Sequence, residues 1–347
     1  MSQNGFDGIL LSSPINQSYV TGADFDDGYV AVTSDKCVIC VDFRYFEAVK
    51  NSVNSDIEVE LAKSSTLNCA LDILLSAGAK SIALEDADIS LALFKKLTEK
   101  VGESAELVEG AGKLLSQMRA IKSAEELEKI SESQKITDAA FEHILGVMTP
   151  HMTEREVALE LEFFMRKNGA EAMAFDVIAV SGSASSLPHG VPRNAKLEKG
   201  FLTMDFGAKL GGYCSDMTRT VVIGKADAEM KKLYNTVLSA QKSALDVLTA
   251  GYSCANADKV ARDIINSSGY DGCFGHSLGH GVGRYIHEEP RLSSKADGVL
   301  EIGNVVTVEP GIYIEGRYGC RIEDMVAITE NGIHNFTKSK KELIELF

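Results

Sequence analysis

Two acidic pairs sit where they could do chemistry. Asp205 and Asp216 flank the turn of "MDFGAKLGGYCSDMTRT", and Glu309 and Glu323 flank that of "VEPGIYIEGRYGCRIEDM". Both stretches have the apolar runs and central glycines of a β-hairpin. Pairing symmetric about the Leu210–Gly211 bond sets Asp205 directly opposite Asp216, and pairing symmetric about Gly316 sets Glu309 opposite Glu323. Opposed residues on antiparallel strands have Cβ atoms about 5 Å apart. At that distance and an effective dielectric of roughly 20, two carboxylates repel by about 3 kcal/mol. Apolar neighbours imply burial, so each pair needs compensating positive charge or shifted pKa values. Arg219 and Arg321 offer one guanidinium per pair, which leaves the cluster negative. Divalent cations answer the excess better.

Histidines point the same way. Three of the seven, His276, His280 and His287, fall in "GHSLGHGVGRYIHEEP". His276 and His280 are four apart, but Gly275, Gly279, Gly281 and Gly283 argue against a helix, so a loop or strand must present them. Four carboxylates with one imidazole form a mostly hard ligand set, suited to a pair of first-row ions such as Mn²⁺ or Co²⁺, with Zn²⁺ also compatible. Carboxylates can bridge two such ions, and the pair can activate a shared water while polarising a carbonyl. The implied class is hydrolase.

These hairpins must be positioned by a larger frame. The chain has 347 residues, 45% apolar and 24% charged, which is room for two ordinary domains. Fifty acidic against 35 basic residues give a formal charge of −15, which disfavours nucleic acid and anionic membrane surfaces as partners. No run reaches the ~18 apolar residues of a membrane span, and the opening "MSQNGFDGILLSSP" has no basic region before its short apolar run. The sequence therefore reads as cytoplasmic. Seven scattered cysteines do not form a disulfide framework; Cys37 and Cys40 read as residues of a strand, "KCVICVDF".

From "GFDGILLSS" to "SIALEDADIS", β-rich runs alternate with helical ones, which predicts an α/β domain over residues 1–120. A second domain, 121–347, opens on the capping box Ser123/Glu126, with another at Thr153/Glu156. Its plan of two helices, a strand, a histidine-bearing segment and a hairpin then recurs. The candidate cap Asp227 follows Ser123 by 104 positions, and Glu309 follows Asp205 by the same 104. This repeat predicts two α-α-β-β halves related by a pseudo-twofold.

With these motifs in order, the chain resembles the pita-bread metallopeptidases, most closely the Xaa-Pro peptidases, aminopeptidase P and prolidase. The likeness rests on "MDFGAKLGGYCSDMTRT", "GHSLGHGVGRYIHE", "VEPGIYI" and "RIEDM", and extends to "NQSYVTGADFDDGYVAV" in the first domain. It implies a creatinase-like α/β N-terminal domain and an α+β pita-bread catalytic domain. It further implies that Asp205, Asp216, His280, Glu309 and Glu323 bind two metals, with Asp216 and Glu323 bridging. His189, His276 and His287 would line the substrate pocket and stabilise the tetrahedral intermediate. The implied reaction is hydrolysis of the Xaa-Pro bond at the N-terminus of short peptides by a metal-bridging hydroxide, with Glu309 as proton shuttle, in a homodimer.

Arg291 and Arg321, within or beside the motifs, could bind a substrate carboxylate, orient a ligand, or form ion pairs away from substrate. Tyr313 could reach the pocket or pack in its hairpin. His143, His151 and His334 fit no ligand spacing. Methionine aminopeptidases lack an N-terminal domain of this size, and creatinases lack the metal set. A non-catalytic peptide- or protein-binding relative would tend to have lost ligands, and an aminopeptidase without proline specificity stays as the nearer alternative.

Overall fold

In the computed structural model, which describes residues 5–347, two compact units divide between Met118 and Arg119. The first carries a six-stranded mixed sheet in the order β4-β3-β2-β1-β5-β6, from β1 (Gly8–Leu11), β2 (Gly28–Val32), β3 (Cys37–Val41), β4 (Ile57–Leu61), β5 (Ser81–Leu84) and β6 (Glu106–Val108). Helices α1 (Pro14–Thr21), α2 (Phe43–Ser52), α3 (Thr66–Ser76) and α4 (Leu91–Val101) connect the strands, and α5 (Ala111–Ala120) closes the unit. Apolar residues cover both faces of the sheet: Leu71, Leu74 and Leu97 on one, Val49, Ala111 and Leu115 on the other. Burial on both faces explains the apolar runs of β1 and β3. All seven cysteines are free thiols.

The second unit repeats itself. Helices α6 (Ala124–Val147) and α7 (Glu154–Lys167) start at complete capping boxes, Ser123/Glu126 and Thr153/Glu156. Helices α8 (Ala228–Val247) and α9 (Cys254–Ile265) start at side-chain caps from Asp227 and Ser253. After the first helix pair come β7 (Ala172–Met173), β8 (Ile178–Ser181), β9 (Gly200–Phe206), β10 (Ala208–Leu210), β11 (Tyr213–Cys214) and β12 (Met217–Ile223). After the second come β13 (Gly279–Gly281), β14 (Glu288–Leu292), β15 (Val305–Val308), β16 (Gly311–Ile314), β17 (Tyr318–Arg321), β18 (Asp324–Thr329), β19 (Gly332–Asn335) and β20 (Glu345–Leu346).

Strand alternation aims the site. Leu202, Met204 and Phe206 of β9 pack with α6 and α7, which turns Asp205 the other way. Val306 and Val308 of β15 pack with α8 and α9, which turns Thr307, and Glu309 just beyond it, the other way. Each hairpin thus lays one face on its own helix pair and offers its acids on the opposite one. No helix among the described residues is long and apolar enough to cross a membrane.

Candidate metal centre and substrate pocket

Register decides which acids meet. In the second hairpin Val308 pairs with Asp324 and Gly311 with Arg321, so symmetry about Gly316 holds and Glu309 lies opposite Glu323. The first hairpin differs from expectation. Its turn is the pair Gly211–Gly212, both with positive φ (57° and 78°), the two-residue geometry that matches strand twist. Pairing is therefore shifted by two, and Thr218, not Asp216, lies opposite Asp205. Side chains two apart share a face, so Asp216 still joins Asp205, now diagonally.

Carboxylate oxygens of Asp205, Asp216 and Glu323 lie within 4.8 Å of one another. His280, on β13, brings Nε2 to 3.6 Å from Asp216 Oδ2 and 3.3 Å from Glu309 Oε1. Its Nδ1 lies 3.1 Å from the Gly281 carbonyl, an oxygen that can only accept, so Nδ1 carries the proton. Nε2 then faces two carboxylates, an arrangement that a shared cation would complete. Asp205 Oδ1 and Glu323 Oε1 are buried without any hydrogen-bond partner. Orphaned anionic oxygens beside an imidazole nitrogen suit hard divalent ions. The donor set fits a metal centre.

Arg321 alone does not neutralise the cluster. Its Nη2 donates to Asp205 Oδ2 at 2.6 Å, its Nε to Thr218 Oγ1 at 2.9 Å and its Nη1 to Tyr313 OH at 2.7 Å. The Thr218 hydroxyl in turn donates a hydrogen bond to Glu323 Oε2 at 2.7 Å. Arg219 is turned elsewhere, paired with Asp324 at 2.8 Å. Burial first, and then the facing acids, push the carboxyls of Asp216 and Glu323 well above their ordinary values. Asp205 is raised as well, by burial, with Arg321 opposing. Burial would lift Glu309 too, but the hydrogen bond and charge of His280, with His276 and Arg321, hold it at about 2.

The cluster forms the floor of a cavity of about 510 Å³, within the range of ligand sites. His189, His276, His287, Arg291 and Arg321 line it, with Phe175, Ile178 and Ile286 as apolar wall. His276 is fixed at both nitrogens: Nδ1 donates to the Ser277 carbonyl at 2.9 Å, and Nε2 accepts from Tyr313 OH at 3.0 Å. Tyr313 therefore belongs to the site. Burial lowers His276, and burial with the nearby His280 and Arg291 lowers His287 to about 4. Among the described residues the Arg291 side chain has no carboxylate partner, whereas Arg321 is buried among its four acceptors. His143 pairs with Glu160, and neither it nor His151 nor His334 lines the cavity.

Thr218 escapes sequence reasoning, because a threonine inside an apolar strand carries no spacing signal. The apolar wall residues do too.

Comparison with known proteins bears on the whole chain. Residues 128–330 match the model of metallopeptidase family M24, and residues 1–121 match that of the creatinase/prolidase N-terminal domain. The Xaa-Pro dipeptidase of Pyrococcus furiosus is 36% identical over 346 residues, covering 99% of this chain and 97% of that protein. Among solved structures, an Xaa-Pro dipeptidase from Bacillus anthracis superposes with a TM-score of 0.95 at 40% identity, covering 99% of this chain and 96% of that one. An X-Pro aminopeptidase from Thermotoga maritima superposes with a TM-score of 0.92 at 36% identity, covering 99% and 98%.

Proposed function

The chain belongs to metallopeptidase family M24, and on that premise we propose that it is a dinuclear exopeptidase cleaving the Xaa-Pro bond at the N-terminus of short peptides. The observation that carries this reading is the cluster of Asp205, Asp216, Glu323, Glu309 and His280 at the floor of a cavity, with two of its buried oxygens unpartnered. These five residues would hold two divalent ions, Mn²⁺ or Co²⁺ by the hardness of the set, with Zn²⁺ as the third candidate. When bound, such ions supply water activation and carbonyl polarisation.

The chain supplies the rest. Glu309, an anion at neutral pH, takes the proton released on attack and returns it to the leaving proline nitrogen. His189 and His287 line the cavity, make no ring hydrogen bond among the described residues, and would meet the peptide and its developing oxyanion. His276 is held ready by Tyr313. A proline nitrogen in the peptide bond carries no N–H, so the ring is selected by shape, against Phe175, Ile178 and Ile286. Arg291, unpaired at the cavity, is placed to receive the carboxylate of a dipeptide.

Metal-loaded protein should therefore hydrolyse Xaa-Pro dipeptides faster than Xaa-Pro-Yaa tripeptides, and Arg291→Ala should narrow that difference. Asp205→Ala should abolish hydrolysis while leaving the circular dichroism spectrum intact. No activity on any proline peptide with Mn²⁺, Co²⁺ or Zn²⁺ refutes the reading. Homodimeric assembly belongs to the same proposal, and light scattering measures it.

A further inference from the structure

His189 reaches the cavity from an irregular segment, and among the described residues its ring makes no hydrogen bond. Its position is therefore set by backbone alone. Around it the backbone is held by two short turns, Leu187 N to Ala184 O and Gly190 N to Leu187 O, and by Arg321 Nη1, which donates to the Pro188 carbonyl at 3.3 Å. Beyond Gly190 the next hold is Arg193.

Arg193 is gripped mainly by one buried carboxylate, with the more exposed Glu198 Oε1 a second partner of Nη2 at 3.2 Å. Glu154, fully buried at the start of α7, accepts Arg193 N at 2.9 Å and Nε at 2.8 Å on Oε2, and Arg193 Nη2 at 2.6 Å on Oε1. Oε1 also accepts Ser181 N at 2.7 Å and Ser181 Oγ at 2.9 Å, which ties in the end of β8, the strand whose Ile178 forms the cavity wall. Backbone bonds run alongside, from Glu154 N to Ala195 O and from Arg155 N to Arg193 O. An acid in a helix's first turn ordinarily serves the helix itself. Here the Thr153/Glu156 capping box already does so, and the Glu154 carboxylate turns away to the loop.

We propose that Glu154, acting through Arg193, is a positioning residue of the substrate pocket: the pair anchors the far end of residues 188–193, whose near end Arg321 holds at the Pro188 carbonyl, and so sets where His189 meets substrate. This rests on the peptidase reading above for its kinetic consequence, and on geometry alone for its structural one. A displacement of about 1 Å in a substrate-contacting group can cost up to about a hundredfold in rate.

The test is a double-mutant cycle with a spectroscopic arm. Glu154→Gln keeps size and loses the anion; Arg193→Ala, at a half-exposed side chain, removes the other partner should the first variant fold poorly. Each should lower kcat/KM on an Xaa-Pro substrate about tenfold or more, with metal content unchanged. In a His189→Ala background the same changes should cost less than about twofold, because the group they position is gone. Effects that multiply in full, or no effect in the single variants, overturn the proposal. Independently, the His189 ring signals in NMR spectra, identified by their loss in His189→Ala, should shift in Glu154→Gln, and amide exchange should quicken in residues 188–193 while residues 274–290 stay as they were. Unchanged signals and exchange overturn the latch whatever the protein hydrolyses. Inactive wild type with shifted signals sinks only the peptidase reading.

Discussion

Asp216 and Glu323 are almost shut off from water, and each faces other acids across a few ångströms. Without a cation their carboxyls hold protons at pH values where an exposed acid would be ionised. The sign follows from linkage. A carboxyl raised on folding destabilises the fold above its folded pKa, and that penalty disappears as pH falls through it. Divalent ions must displace those protons, so binding strengthens as pH rises. Mn²⁺ or Co²⁺ should therefore raise Tm more at pH 8 than at pH 5, measured by thermal scanning with chelator-treated protein as reference; equal increments at both pH values contradict the proton-holding site. The four clustered acids were legible in the sequence, because acids brought together on buried strands need an explanation that an exposed charge does not, whereas His280 was singled out from its neighbours only by the family resemblance. The Thr218 hydroxyl and the Glu154–Arg193 pair were not legible, since their roles arise from contacts between segments far apart in the chain.

Elements carry these side chains only if backbones approach closely enough. A Cβ on Gly207 would fall on the carbonyl oxygen of Ser215, and one on Gly279 on that of Thr307. Glycine at 279 lets β13 lie against β15 and lets His280 N reach Thr307 Oγ1 at 3.0 Å. Gly279→Ala must push the strands apart, at the cost of about 1–3 kcal/mol typical of overpacking. At about 2–4 °C per kcal/mol for a unit of this size, Tm should fall by roughly 2–12 °C. Metal uptake should weaken together with it, read by titration with Mn²⁺ or Co²⁺. Unaltered Tm and uptake would show that the strand pair has slack. The sequence called attention to Gly279 as a helix breaker and gave Gly207 no such mark, and the close backbone contacts of both become visible only once the sheet is formed. The first hairpin's register shows the same limit. "KLGG" admits a turn centred at Leu210–Gly211 or at Gly211–Gly212, and two adjacent residues with positive φ select the second. Period-two alternation protected the outcome, because a slip of two preserves the face whereas a slip of one would have reversed it.

The molecule's two repeated halves must also be held in one arrangement, or the acids from their two hairpins would not share a site. Glu323 N reaches across to the Thr218 carbonyl at 3.2 Å. Beside it Arg219, from β12 of the first half, donates Nη2 to Asp324 Oδ1 on β18 of the second at 2.8 Å, and also meets the carbonyls of Glu323, Ser339 and Lys340. Both side chains are excluded from water, with Arg219 1% and Asp324 0% exposed. Lys341 Nζ donates to the other Asp324 oxygen at 2.6 Å. Asp324→Asn leaves buried positive charge without its anion, a loss of about 3–5 kcal/mol. At about 2–4 °C per kcal/mol, Tm should drop by roughly 6–20 °C. Replacing both partners by apolar residues, Arg219→Met with Asp324→Leu, should cost less than Asp324→Asn alone, because no fully buried charge is then left unpaired; Lys341, which also loses its anion, is 19% exposed and can turn to water. Burial alone would raise Asp324, but Arg219 and Lys341 outweigh it and hold the carboxyl below its ordinary value. A lowered folded pKa gives stability that is present above the unfolded value, about 3.9, and is lost as pH falls through the folded one. The Tm gap between wild type and Asp324→Asn should therefore be widest near neutral pH and narrow toward pH 3. A gap that stays constant down to pH 3 would assign the seam to packing instead of charge.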